Sequence, residues 1–219
     1  MDKKKKIMLA VLGAMVVTLL AVSGYYWYMS SHYVQTDDAR VDATIVKVSP
    51  QISGKITEMY VAEGDSIKEG DTIARQVDFT LAKGANLDMA VIKTPVSGTV
   101  VKKIGNVGEV GVPGQPLAMV ADLNSVYLSA NIEETELNKV RSGQFVDFNV
   151  DAFPGVNFTG EVTSIGEATN SVFSLLPTQN TGGNYTKVVQ RIPVKIAISD
   201  YKGCRLLPGM NAIVKIHLK

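Results

Sequence analysis

From Ile7 to Met29 the chain runs 23 residues without a charged side chain. As an α-helix at about 1.5 Å per residue this stretch would measure roughly 34 Å, enough to cross a hydrocarbon core of about 30 Å. Its flanks agree with that reading. Lys3, Lys4, Lys5 and Lys6 precede it, the positive charge that stays on the cytoplasmic side. Tyr25, Tyr26, Trp27 and Tyr28 close it with rings of the kind enriched at a membrane–water interface. A cleaved secretory signal would carry an apolar region of about 7–15 residues followed by small residues. Here the run is longer, ends in bulky rings, and has no cysteine after it to take a lipid. The sequence therefore predicts an uncleaved single-pass anchor, with residues 1–6 cytoplasmic, 7–29 in the inner (cytoplasmic) membrane and the rest extracytoplasmic or periplasmic.

Composition narrows what the outer portion can do. Cys204 is the single cysteine, which excludes an intramolecular disulfide and a cysteine-cluster zinc site, and His32 and His217 are too few for a multi-histidine site. Beyond the first six residues, 18 basic side chains face 20 acidic ones, so the body lacks the basic excess of a nucleic-acid binder. Nineteen glycines and eight prolines among 219 residues point to many short strands and turns. No nucleophile elbow, phosphate loop or dinucleotide fingerprint is present. The expectation is a non-enzymatic chain with no cofactor and no metal.

A repeat lies behind the anchor. Ser53-Gly54 recurs as Ser97-Gly98, and Gly64, Gly70 and Ile73 recur as Gly108, Gly114 and Leu117, all at an offset of 44 residues. Each copy reads as a strand (Lys55 to Val61; Thr99 to Ile104), a glycine-assisted turn and a further strand. A unit this small cannot bury its apolar face alone, so the two copies are expected to share one core. Gly54, Gly64, Gly70, Gly98, Gly108 and Gly114 are the expected turn residues.

At these positions the chain resembles the biotinyl/lipoyl-like hammerhead and, more closely, the HlyD family of membrane fusion proteins in its EmrA-like branch. The resemblance runs from the end of the anchor to the C-terminus. Residues 36–42 (Thr-Asp-Asp-Ala-Arg-Val-Asp) are similar to the strand that leads into the first lipoyl half. Residues 48–54 with 61–65, and then 92–100, are similar to the two halves themselves. Residues 131–137, 173–180 and 187–194 are similar to later EmrA-type segments. One departure stands out. In the family a long helical hairpin separates the halves and reaches toward an outer-membrane channel, whereas here Asp78 to Ala90 supply only thirteen residues. Lys83-Gly84 reads either as a natural short turn or as a junction where a hairpin was removed. Docking to a TolC-type channel is therefore not expected. Lys83 lies near the place where true carrier domains attach a cofactor, but its neighbours do not resemble an acceptor motif.

From Leu123 onward apolar and polar residues alternate: Val126, Leu128 and Ala130; Val146, Phe148 and Val150; Ile192, Val194, Ile196 and Ile198; Ala212, Val214, Ile216 and Leu218. Such alternation predicts half-buried antiparallel strands, closed into a small barrel, with Pro193 marking an edge or bulge. One helix is expected between them, capped by Asn131 and Glu134, with Glu133 and Glu136 near its start and Gly143 as its stop. His217 is expected to face solvent, and Cys204 to be a minor packing residue in a turn-rich region. The stretch from Gly166 to Thr186 has little periodicity, and Phe173, Leu175, Leu176 and Asn184 within it are candidate partner-docking residues.

The expected fold is thus mainly β: an anchor helix, a linker and lead-in strand over 30–43, a lipoyl-like domain over 44–122 (halves 44–77 and 91–122 around a hairpin remnant, 78–90), and a β-barrel domain over 123–219. The family resemblance implies a multidrug-efflux adaptor that binds an inner-membrane transporter, most similarly an EmrB-like major facilitator, and associates with itself into a ring. A transporter-associated module that binds or presents a ligand without an outer-membrane channel is the alternative.

Overall fold

The computed structural model of the chain describes residues 3–77, 87–173 and 188–218. Helix α1 spans Lys3–His32 and is apolar on all sides rather than along one stripe. A helix of that kind belongs in a protein core or a bilayer. Over Val11–His32 it is long and apolar enough to cross a membrane, and none of it is buried against the rest of the protein. Strand β1 (Tyr33–Asp42) follows, then eight short strands: β2 (Ile45–Val48), β3 (Gly54–Met59), β4 (Ser66–Ile67), β5 (Thr72–Val77), β6 (Val91–Lys93), β7 (Gly98–Lys103), β8 (Val110–Gly111) and β9 (Ala118–Ala121). Five longer strands follow among the described residues: β10 (Tyr127–Glu133), β11 (Phe145–Val150), β12 (Asn157–Ile165), β13 (Arg191–Asp200) and β14 (Asn211–His217). The expected mainly-β architecture is the one the chain adopts. Its residues fall into two compact units, one holding α1, most of β1 and the later strands, the other centred on residues 41–127.

In the unit centred on 41–127 the sequence repeat becomes a pseudo-twofold. Its two four-stranded sheets run β2-β9-β7-β4 and β6-β5-β3-β8. Neither sheet belongs to one half alone, because β4 of the first half pairs with β7 of the second, and β8 of the second pairs with β3 of the first. The pairs Ser66↔Thr99 and Lys55↔Val110 are each other's images at the repeat offset. Ile56, Ile73, Ile92, Val100, Leu117 and Val120 meet in the shared core, all at most 4% exposed. At about 1.5–3 kcal/mol for each fully buried aliphatic side chain, that core holds the halves together only because both contribute to it.

The other unit is a closed six-stranded barrel in the order β1-β10-β13-β12-β11-β14. The lead-in strand β1 is therefore one of its staves, in register with β14 from Tyr33↔His217 to Arg40↔Asn211 through a bulge after Thr36. The alternating apolar residues point inward: Leu128, Val146, Phe148, Val194, Ile196, Val214 and Ile216 are at most 1% exposed. Phe148 and Phe158 stack at 5.3 Å between ring centroids. Pro193 is tolerated near the end of the β12–β13 ladder, which has a bulge between Val162 and Ser164, and its carbonyl accepts the Gly166 N–H at 2.8 Å.

The expected helix from Asn131 does not form. The chain stays in β10 through Glu133 and makes only a single 3-10 turn, Leu137–Lys139. Two forces favour the strand. Ile132 is 1% exposed in the barrel core, and Asn131 uses its side chain and its carbonyl to bond β1 rather than to cap. Burial and cross-strand bonding outweigh a few tenths of a kcal/mol per residue of helix preference.

Candidate functional site

The place where α1 enters the barrel is built from aromatic and cationic side chains. Leu218 donates its N–H to the His32 carbonyl at 2.8 Å, which ties the end of β14 to the last turn of the helix. His32 bonds through Nδ1 to the Tyr28 carbonyl at 2.9 Å and stacks on the Tyr28 ring at 4.1 Å. On the barrel's outer face His217 meets Tyr33 and Phe145 edge-on, at 4.9 and 5.4 Å between centroids. Its Nε2 lies 2.7 Å from Asp147 Oδ2, and Lys215 Nζ sits 4.0 Å from the centre of the Tyr33 ring. His217 does face outward, but it is held by a carboxylate and two rings rather than left to solvent. The period-2 pattern gave its side of the strand; its partners come from β1 and β11, which local pattern cannot reveal.

Beside this cluster a groove of 660 Å³ lies between α1 (Trp27, Ser30, Ser31) and the turn that follows β10. That turn is rigid. The buried Gln144 side chain accepts the Arg141 N–H at 2.9 Å and donates to the Lys139 carbonyl at 3.0 Å. The Ser142 hydroxyl donates to the Thr163 carbonyl at 3.0 Å. Lys139 pairs with Glu136 at 2.6 Å, and Arg141 donates from one guanidinium nitrogen to the Val140 carbonyl at 2.8 Å.

A second polar cluster joins three barrel strands and the turn that begins at Asn170. Thr36 of β1 donates from Oγ1 to the Asn131 carbonyl at 3.0 Å, and Asn131 Nδ2 donates to Asp38 at 3.0 Å. Arg191 of β13 forms an ion pair with the same Asp38 carboxylate. Asn170, in the 3-10 turn Asn170–Phe173, donates to Asn131 Oδ1 at 2.8 Å. Partial burial works to raise the Asp38 carboxyl, but the Asn131 hydrogen bond and the Arg191 guanidinium outweigh it and hold it below the ordinary carboxylate range. Of the candidate docking residues, Phe173 ends that 3-10 turn, while Leu175, Leu176 and Asn184 lie outside the described residues, as does Lys83.

In the lipoyl-like unit Gly64, Gly70, Gly108 and Gly114 occupy turns at φ +93°, +86°, +96° and +84°. Gly54 and Gly98 do not: expected in turns, they are the first residues of β3 and β7. At Gly98 the reason is close backbone approach, since a Cβ there would lie 2.5 Å from the Ala121 carbonyl oxygen. The anchor residues Tyr25, Tyr26, Trp27 and Tyr28 are all exposed along α1, which also contains Lys3, Lys4, Lys5 and Lys6. Among the described residues no group of three or more histidine, cysteine or acidic side chains could hold a metal ion. What the described surface offers is contacts: a cationic, aromatic rim at the helix end and a bonded polar cluster around Asp38 and Asn131.

Comparisons with known proteins place these features. Residues 44–123 match the family model described as the RND MFP barrel-sandwich hybrid domain, and residues 126–216 match the YknX-like beta-barrel domain. The chain is 38% identical over 217 residues to the putative efflux system component YhbJ of Bacillus subtilis, covering 99% of this chain and 94% of that protein. It is 38% identical over 135 residues to the colistin resistance protein EmrA of Acinetobacter baumannii, covering 61% of this chain but 38% of that protein. Among solved structures, a MacA–MexA chimera carrying the Pseudomonas aeruginosa MexA α-hairpin superposes with a TM-score of 0.67 at 20% identity, over 86% of this chain and 82% of the other. The chain thus spans nearly all of one relative and well under half the length of the EmrA-type relative.

Proposed function

The chain belongs to the HlyD-type membrane fusion proteins, in an EmrA-like branch without the long hairpin, and from that premise we propose that it is the membrane-anchored adaptor of a multidrug efflux system. Membrane fusion adaptors have a non-enzymatic role. In this reading α1 crosses the inner membrane once, with Lys3 to Lys6 in the cytoplasm and the barrel and lipoyl-like domains outside. The adaptor braces an inner-membrane transporter, an EmrB-like major facilitator, and several copies form a ring around the exit path. Transport energy comes from the transporter. The adaptor contributes geometry: Gly54, Gly64, Gly70, Gly98, Gly108 and Gly114 keep the lipoyl-like scaffold compact, and Phe173, Leu175, Leu176 and Asn184 dock a neighbour. With thirteen residues between the halves, the chain does not itself reach an outer-membrane channel.

The observation that carries this reading is the near full-length match to an efflux system component, anchor included. Deleting the gene should increase susceptibility to the transported compounds, and re-expressing the whole chain should restore resistance only when the cognate transporter is present. Unchanged susceptibility across a broad compound panel, or rescue without the transporter, would overturn the proposal.

A further inference from the structure

The groove between α1 and the turn after β10 lies at a defined level. If Trp27 sits in the interfacial belt, Ser30 and Ser31 stand three and four residues further along the helix, or roughly 4.5–6 Å. That is the depth of phospholipid headgroups, immediately outside the aromatic belt. This depth rests on the reading that α1 crosses the membrane.

The lining of the groove is selective. Its described lining presents Lys139 and Arg141 with serine hydroxyls and holds no acidic side chain. Glu136 pairs with Lys139 and Asp147 with His217, while Glu134 and Glu167 line a neighbouring hollow that shares Arg141 and Ser142. A smaller 210 Å³ cavity in the same unit has the opposite character, with Asp37, Glu133 and Glu136 against a lone Arg191, so a cationic lining is not general to this barrel. Arg141 is exposed, and the backbone around it is held by the buried Gln144 side chain, which fixes its place on the rim. Next to Gln144 in sequence, Phe145 leaves half its surface (49%) exposed and meets His217 edge-on. Aromatic anchors beside lysine and arginine are what an interfacial lipid contact requires.

We propose that this groove binds the headgroup phosphate of an anionic phospholipid in the leaflet from which α1 emerges, with Arg141 on the phosphate, Lys139 shared between the phosphate and Glu136, and Trp27 against the upper acyl region. The site gives the adaptor a second hold on the bilayer and sets the height of the barrel above it.

The test uses the full chain in detergent, challenged with equimolar phosphatidylglycerol and phosphatidylcholine and read by native mass spectrometry. The wild type should retain one phosphatidylglycerol in preference to phosphatidylcholine. Arg141→Gln and Lys139→Gln should each lower that retention about fivefold, the effect of one charge near an anionic headgroup, while Lys93→Gln in the other unit should leave it unchanged. Equal retention by wild type and the double variant, or no preference between the two lipids, overturns the site. Quenching of Trp27, the single tryptophan, by brominated phospholipids in vesicles separates the two levels of the argument. No quenching by either lipid defeats the membrane-crossing premise. Equal quenching by both leaves that premise standing and counts against the headgroup site.

Discussion

Two glycines at corresponding places in the repeat should respond to the same substitution in the same way, and a third should respond far more. Gly64 and Gly108 donate their N–H groups to the Val100 and Ile56 carbonyls, both at 2.8 Å, and lie at φ +93° and +96°. A Cβ at either would meet nothing within 4 Å. Gly64→Ala and Gly108→Ala therefore carry only the backbone cost of an L-residue at positive φ, about 1–2 kcal/mol. Gly98→Ala is a different case. Its Cβ would lie 2.5 Å from the Ala121 oxygen and 2.8 Å from the carbonyl carbon, so strand β9 must move, at about 3 kcal/mol or more. Hydrogen exchange on the full chain in detergent, read at the Ile56 and Val100 amides, reports these costs. Protection should fall by a factor of roughly 5–30 in the two turn variants and by more than about 100 in Gly98→Ala. The reasoning fails if Gly98→Ala is the mildest of the three, or if Gly64→Ala and Gly108→Ala differ by more than about 1 kcal/mol, the coupling threshold for independent sites being smaller than that.

Three further outcomes are expected. Phe158→Ala removes a ring that is fully buried and stacked on Phe148, and should destabilise the barrel by about 3–5 kcal/mol in urea unfolding followed by barrel-specific hydrogen exchange. The Asp38 carboxyl is held below its ordinary value in the folded protein, so its contribution is fully present above the ordinary carboxylate range and is lost as pH falls through the lower folded value. Asp38→Asn should therefore cost no more than about 1 kcal/mol near neutrality, because the pair is partly exposed, and should flatten the loss of barrel stability between about pH 5 and pH 3. Phe173→Ser with Leu176→Ser should impair co-purification with the transporter while the circular dichroism spectrum stays that of the wild type; unaltered complex formation would remove these residues from the docking role.

How much of this was legible in the sequence depends on the distance over which each feature is encoded. Alternation such as Val146-Asp147-Phe148-Asn149-Val150 is written within one strand, and it reported the inward face correctly. The glycine repeat was legible because one offset recurs five times, but the exchange of strands between halves was not. Only the pairing of Ser66 with Thr99 and of Lys55 with Val110 reveals it, and neither pair shares a local signal. Asn131-Ile-Glu-Glu carries the local marks of a helix start, yet Ile132 was needed in the barrel core and Asn131 was needed by Asp38, 93 residues earlier. The Asp38–Arg191 pair spans 153 residues, beyond the reach of any spacing rule. Asp38 lies inside the segment that resembles the family's lead-in strand, so the resemblance marks its neighbourhood but not its partner.

Cys204, the single cysteine, lies in the barrel unit and is partly exposed, so labelling with a membrane-impermeant maleimide reads directly which side of the membrane that unit occupies. In intact protoplasts or spheroplasts Cys204 should be labelled to the same extent as after lysis, with the chain remaining in the membrane fraction through alkaline carbonate extraction. Labelling that appears only after lysis would put the barrel in the cytoplasm and contradict an adaptor that works beyond the lipid.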